Sequence, residues 1–189
     1  QDNDPERFLA YLVTAIERIF LGFGSDLLPI VHSGAADPNR ILPLMANALA
    51  SLTPPLLIVL DDYHLITNPL IHESLSFILD NLPAGITVVL ATRVTPPLPL
   101  ARLRARQQLT EIALQEMRFS TAEVETLANQ IHHFALSTGA IETLETRTEG
   151  WAAGLQLAAL TLHGQDNPQA VIENLAGSHR FIADYLVEE

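Results

Sequence analysis

The sequence predicts an α/β fold: a small parallel sheet within residues 1–119, followed by a part built of helices alone. Three observations carry this. Leu56 to Leu60 (LLIVL) is apolar at every position and stands between a proline pair and two acids. A strand covered on both faces reads this way. Ile86 to Ala91 (ITVVLA) has the same texture, with Thr87 as its polar exception. A helical pattern lies between them, so the whole is a strand–helix–strand unit with a right-handed crossover. After Ser120 the apolar residues recur at helical spacing only.

Taken in order, Asp4-Pro5 is an N-cap followed by proline at the first helical position. Phe8, Leu9, Leu12, Val13, Ile16, Ile19 and Phe20 then mark one buried helical face. Gly22, Gly24, Pro29 and Gly34 predict loops or short helical pieces. A second helix is expected from about Pro43 to Leu52, stopped by Pro54-Pro55 before the LLIVL strand. Asn68-Pro69 opens the crossover helix, with Ile71, Leu75, Ile78, Leu79 and Leu82 facing inward. Leu100 to Arg106 reads as a short helix and Leu109 to Leu114 as a third strand. Ser120 and Glu123 have capping-box spacing. Helices are expected over 121–133, 139–149, 150–163 and 168–176, with a last one starting near Arg180.

Composition removes several classes of function. The 189 residues contain no cysteine, so thiolate metal sites, disulfides and cysteine nucleophiles are excluded. The ten basic residues are all arginine, which excludes a P-loop lysine or a Schiff base within this chain. A net charge of −12 gives no general attraction to nucleic acid or anionic lipid. The longest uncharged run, Ile41 to Leu60, is interrupted by three prolines and by Asn47, Ser51 and Thr53, and reads as helix then strand rather than as a membrane span. The polar start lacks a leader pattern, and a cytoplasmic location without membrane partners is the expectation.

Two strand ends hold the candidate chemistry. Asp61 and Asp62 follow the first strand, and Thr92-Arg93 follows the second. In open α/β sheets ligands bind at the carboxyl ends of strands. One carboxylate can hold a hydrated Mg²⁺ while the other orients water, and an arginine there can reach a phosphate. The competing reading is a loop cap for the acids and a surface ion pair for the arginine. Gly22-Phe23-Gly24-Ser25 follows no strand and lacks lysine, so it reads as a loop. His64, His72, His132 and His133 lack zinc spacing with a second pair of ligands. There is no G-x-S-x-G elbow. Arg102, Arg104 and Arg106 form the one basic cluster, suited to a neighbouring domain or a phosphate rather than to DNA.

The stretch DDYHLITNPLIHESLSFIL (Asp61 to Leu79) closely resembles the Walker B region of MalT-like transcription activators, signal-transducing STAND ATPases that often carry a LuxR-type DNA-binding end. Asp2 to Ile16, Val88 to Arg93, Leu100 to Ile112, Met117 to Leu127, Thr148 to Leu160 and Phe181 to Glu189 resemble further segments of that family in the same order. The resemblance implies an incomplete P-loop NTPase domain over 1–119 that lacks the Walker A region. It implies a helical domain over 120–179 and the start of a winged-helix domain over 180–189. The sheet would keep strands 3, 4 and 5 of the order 5-1-4-3-2, leaving strand 5 not bonded to strand 4.

The resemblance also assigns roles. Asp61 matches the acid associated with Mg²⁺, Asp62 the acid that polarises the attacking water, and Arg93 the sensor arginine facing the γ-phosphate. Trp151, Gly154, Leu155 and Gln156 fall near the family's adenine motif, although Gln156 replaces its proline, and plain helix core is the competing reading there. ATP/ADP and Mg²⁺ are the implied cofactors of the intact protein, with none expected to bind this chain tightly. The implied partners are other domains of the same chain, further copies in the ATP state, and DNA only through a domain outside this sequence. The rival reading is a non-enzymatic interaction module with a degenerate nucleotide site.

Overall fold

Helix α1 (Pro5–Glu17) starts where the sequence places it: the Asp4 carboxylate accepts the Arg7 N–H at 2.8 Å, and Pro5 takes the first helical position. The computed structural model describes residues 3–33, 38–53 and 55–174. It divides into two units, Gln1–Leu109 and Thr110–Glu189. The expected winged-helix start at 180–189 lies outside the described residues.

In the first unit, α1 buries Leu9, Leu12, Val13 and Ile16. The Gly22–Ser25 turn that follows is held by the Glu17 carboxylate, which accepts the N–H groups of Gly22 (2.8 Å) and Gly24 (2.5 Å). Those two bonds hold the Glu17 carboxyl below its ordinary pKa of 4.5. Helix α2 (Leu27–Val31) leads to α3 (Pro38–Ala50), which begins five residues before the expected start. Pro43 therefore sits inside α3, where it removes one backbone donor. Its ring is exposed, while Ile41, Leu42, Met45 and Leu49 on the opposite face are buried. Burial of that face outweighs one lost hydrogen bond.

Strands β1 (Leu56–Leu60) and β2 (Ile86–Leu90) pair in parallel, from Leu56↔Ile86 to Leu60↔Leu90. Between them runs α4 (Pro69–Asp80), capped by the Asn68 side chain, which accepts the Leu70 N–H at 3.0 Å. The sheet packs Leu56, Ile58 and Ile86 into one core with residues of α1, α3 and α4 such as Val13, Met45 and Ile78. The expectation of a β1 covered on both faces fails: Leu57 is 60% exposed and Val59 57%. Burial alternates along the strand because a helical layer of this unit packs on one face only.

Helix α5 (Leu100–Ala105) forms as expected and buries Leu103. Arg102 and Arg106 both reach the Asp80 carboxylate, so the basic cluster is partly neutralised within its own unit. The third strand expected over 109–114 is absent. Residues 110–113 are irregular, a 3₁₀ turn occupies Leu114–Met117, and the whole run 110–118 is exposed. Strand-like composition is not sufficient, since a strand needs a ladder partner for its donors and acceptors, and the sheet among the described residues holds β1 and β2 alone. The expected arrangement, a strand 5 present but not bonded to strand 4, is not found, because the run forms no strand.

The second unit is helical. Helix α6 (Thr121–Glu125) carries the predicted capping box: the Ser120 Oγ accepts the Glu123 N–H, and the Glu123 carboxylate accepts the Ser120 N–H. It runs into a π-helical turn over Thr126–Ile131, where one continuous helix to 133 was expected. Helices α7 (Thr138–Thr148), α8 (Ala152–Leu162) and α9 (Pro168–Asn174) follow. Their core joins Val124, Ala128, Ile141, Leu144, Leu155, Leu162 and Ile172. Gly150 is required between α7 and α8. Its φ is +70°, and a Cβ there would stand 2.5 Å from the Phe119 carbonyl oxygen, whose own N–H donates to the Gly150 carbonyl at 2.8 Å.

Candidate functional site

Parallel, in-register strands bring their last residues to one edge, so Leu60 and Leu90 are neighbours and the chains beyond them leave side by side. The pairing extends past the strands: Ala91 N–H donates to the Leu60 carbonyl at 3.0 Å, and Tyr63 N–H donates to the Ala91 carbonyl at 2.9 Å. Asp61 and Asp62 are thus anchored on both sides, and both are exposed. Asp62 adopts a left-handed backbone (φ 49°) and donates its N–H to the Asp61 carboxylate at 2.9 Å. Aspartate tolerates that region better than most residues, and the sharp turn it makes starts a 3₁₀ turn over Tyr63–Leu65.

Arg93 lies three residues beyond β2, exposed, in a bend in which Thr92 Oγ1 donates to the Val94 carbonyl at 2.8 Å. Among the described residues it makes no ion pair with Asp61 or Asp62. Charge neutralisation between strand ends, the competing reading from sequence, therefore does not occur. Asp62 is instead approached by His64, whose Nδ1 is 3.9 Å from Asp62 Oδ1. That nitrogen is buried and has no hydrogen-bond partner.

Two supports of this edge are not legible in the sequence. Tyr63 is buried and its hydroxyl is 2.8 Å from His72 Nδ1 on α4. Burial pushes the Tyr63 phenol up to about 12, so it stays protonated and can donate to the imidazole. The pair ties the turn after β1 to the crossover helix. The second support is Asn3. Its Oδ1 accepts N–H groups from Thr67 (2.6 Å) and Asn68 (3.2 Å), and its Nδ2 donates to the Leu65 carbonyl at 3.0 Å. No local pattern marks a nine-residue Tyr–His spacing or a contact over sixty residues. A polar side chain among helix signals, at Asn3 and at His72, is the one trace they leave.

Trp151, Gly154, Leu155 and Gln156 belong to the second unit. Trp151 is the N-cap residue of α8 and is 39% exposed. Gly154 and Leu155 are buried in the helical core, and Gln156 faces solvent. The four do not share one surface. Leu155 does what the plain helix-core reading expects.

No protein-family model matches the chain. Individual proteins do. It is 37% identical over 193 residues to the HTH-type transcriptional regulator MalT of Yersinia enterocolitica. It is 36% identical over 194 residues to that of Serratia proteamaculans, and 37% over 196 to that of Cronobacter sakazakii. Each match takes in all of this chain. The chain is homologous to a stretch of the MalT-type transcriptional regulators. It spans about a fifth of the length of those relatives, 21% in each case. The identity runs over the whole chain, in agreement with the ordered resemblances from Asp2 to Glu189. The mixed architecture of this MalT-like segment, a parallel strand pair with helices, is compatible with part of an α/β nucleotide-binding domain. Among the described residues no helix is long and apolar enough to cross a membrane.

Proposed function

We propose that this chain supplies the Walker B and sensor part of an ATP-dependent switch within a MalT-like transcriptional regulator. One arrangement supports the reading: Asp61, Asp62 and Arg93 leave two adjacent parallel strands at the same edge, all exposed, with the arginine unpaired to either acid. The donor set suits magnesium, which keeps most of its waters and takes one or two carboxylates plus phosphate oxygens. Among the described residues no larger cluster of His, Asp and Glu competes for that ion. Bound magnesium supplies charge neutralisation at the transferred phosphate.

In this reading Asp61 holds the hydrated ion through its carboxylate. Asp62 accepts a hydrogen bond from the attacking water and orients it. Arg93 donates to the γ-phosphate and senses its presence. By the family resemblance Trp151, Gly154, Leu155 and Gln156 belong to the adenine motif, and of these Trp151 and Gln156 are exposed. ATP favours a self-associating state of the intact protein and ADP a resting one, so hydrolysis resets a switch. Contact with DNA belongs to another part of the protein, in keeping with a net charge of −12 here.

The test uses a protein in which this segment follows a G-x-x-x-x-G-K-[ST] loop. There Asp61→Ala abolishes ATP hydrolysis, and undiminished turnover removes Asp61 from the role. The chain by itself binds Mg-ATP no tighter than about 1 mM, because the phosphate-cradling amides and lysine are not in it. Micromolar binding by calorimetry would overturn that part.

A further inference from the structure

We propose that His132 and His163 form a two-histidine site for a divalent transition metal of the zinc, nickel and copper class. The sequence separates them by 31 residues, and the spacing of the histidines pointed away from a metal. The fold brings them together. His132 ends the π-helical turn, its N–H donating to the Leu127 carbonyl at 3.0 Å, and His163 ends α8, its N–H donating to the Ala159 carbonyl at 3.0 Å. The two side chains meet with His132 Nδ1 3.2 Å from His163 Nε2.

That separation is a ligand spacing. Two imidazole nitrogens bound to one tetrahedral zinc at about 2.0–2.1 Å stand about 3.3 Å apart. Little movement is needed to replace the shared hydrogen with an ion. The hydrogen between the rings shifts to the outer nitrogen of its own imidazole, a change of tautomer that leaves both rings neutral. Imidazole nitrogen suits zinc, nickel and copper, and not magnesium or calcium.

The rings are also held in place. Phe134 stacks on His132, with centroids 5.3 Å apart and planes 8° from parallel, and meets His163 edge-on at 5.1 Å. Asn129 fixes the intervening loop by bonding both the N–H (2.7 Å) and the carbonyl (2.9 Å) of Leu136. Within that loop His133 and Ala135 take left-handed backbones, φ 59° and 52°. Left-handed positions outside glycine and π-helical turns are both uncommon and both concentrate at functional sites. His163 is exposed, so an ion has access. Among the described residues no third His, Asp or Glu completes the set. The remaining positions face solvent and go to water or to a small anion. An ion here staples the end of α8 to the end of the π turn.

The experiment titrates Zn²⁺ into the chain by calorimetry, with the histidine ring nitrogens followed by NMR. The expected result is one ion per chain, bound tighter than about 0.1 mM. Shifts should be confined to the rings of His132 and His163, and the thermal midpoint should rise with zinc. His163→Gln, at an exposed helix end, should weaken binding at least about tenfold while leaving the circular dichroism unchanged. His132→Gln should do the same, and His133→Gln should bind like the parent. Absence of saturable binding, or binding that survives His163→Gln, overturns the proposal. If His132→Gln fails to fold, His163→Gln alone decides.

Discussion

The two units solve the burial problem differently. The second closes on itself: α6 to α9 turn Val124, Ile141, Leu155 and Ile172 toward one interior. The first closes on one side only. Its helices cover the Leu56, Ile58 and Ile86 face of the sheet, while Leu57, Val59 and Val89 on the other face stay 42–60% exposed. A helix needs one apolar stripe covered, whereas a strand pair presents two apolar faces. The strand pair of the first unit therefore keeps one apolar face bare.

The largest losses are expected in the two cores. Ile78→Ala in α4 and Leu155→Ala in α8 each delete a fully buried side chain. Each is expected to cost about 2–5 kcal/mol in denaturant melts, with lost hydrogen-exchange protection appearing in the mutated unit. Equal losses for the two would show that the bare face leaves the first core as tightly packed as the second.

Next in size is Gly150→Ala. A left-handed backbone and a Cβ 2.5 Å from a carbonyl oxygen predict a loss of about 1–3 kcal/mol or more. Gly139→Ala is the control, since its Cβ meets nothing within 4 Å. It should be neutral or stabilise by less than about 1 kcal/mol.

Tyr63→Phe removes the hydroxyl partner of the buried His72 and is expected to cost about 1–3 kcal/mol. A smaller loss would mean that the imidazole finds water, and hence that the sheet edge is wetter than the helical core.

Acid distinguishes the units more finely, because each holds one capping carboxylate below the ordinary 4.5: Glu17 through the N–H groups of Gly24 and Gly22, and Glu123 through the Ser120 N–H and hydroxyl. The ionised form is the bonded one. Its contribution is complete above pH 4.5 and is lost as pH falls through the lowered values. Glu17→Gln should flatten the acid limb of the first unit's melting profile, and Glu123→Gln that of the second.

The smallest expected effect is at the bare face. Val59→Thr keeps shape and adds a hydroxyl at an exposed strand position, and should change stability by no more than about 0.5 kcal/mol. A loss above about 1 kcal/mol in equilibrium melts would show that this face is covered in solution.

Local signals in the sequence specify the elements whose physics is local. Proline after an N-cap places α1 and α4, capping-box spacing places α6, and apolar runs, unbroken in β1 and interrupted by Thr87 in β2, place the strands, so Asp61, Asp62 and Arg93 follow from the sequence as strand-end residues. Pro43 does not mark the start of α3, because a helix tolerates proline on its exposed face when the opposite face is well buried.

Tertiary structure alone decided the rest. Which face of β1 is covered depends on the helices that pack there, and the same five residues would look identical with both faces buried. The run 109–114 has strand composition but joins no ladder among the described residues, and composition by itself does not supply the partner that a strand's donors and acceptors require. The Tyr63–His72 bond, the Asn3 clamp and the His132–His163 contact join residues 9, more than 60 and 31 positions apart. Periodicity and capping encode the neighbours of a residue along the chain. Contacts across the fold are fixed by packing that no short window of sequence contains.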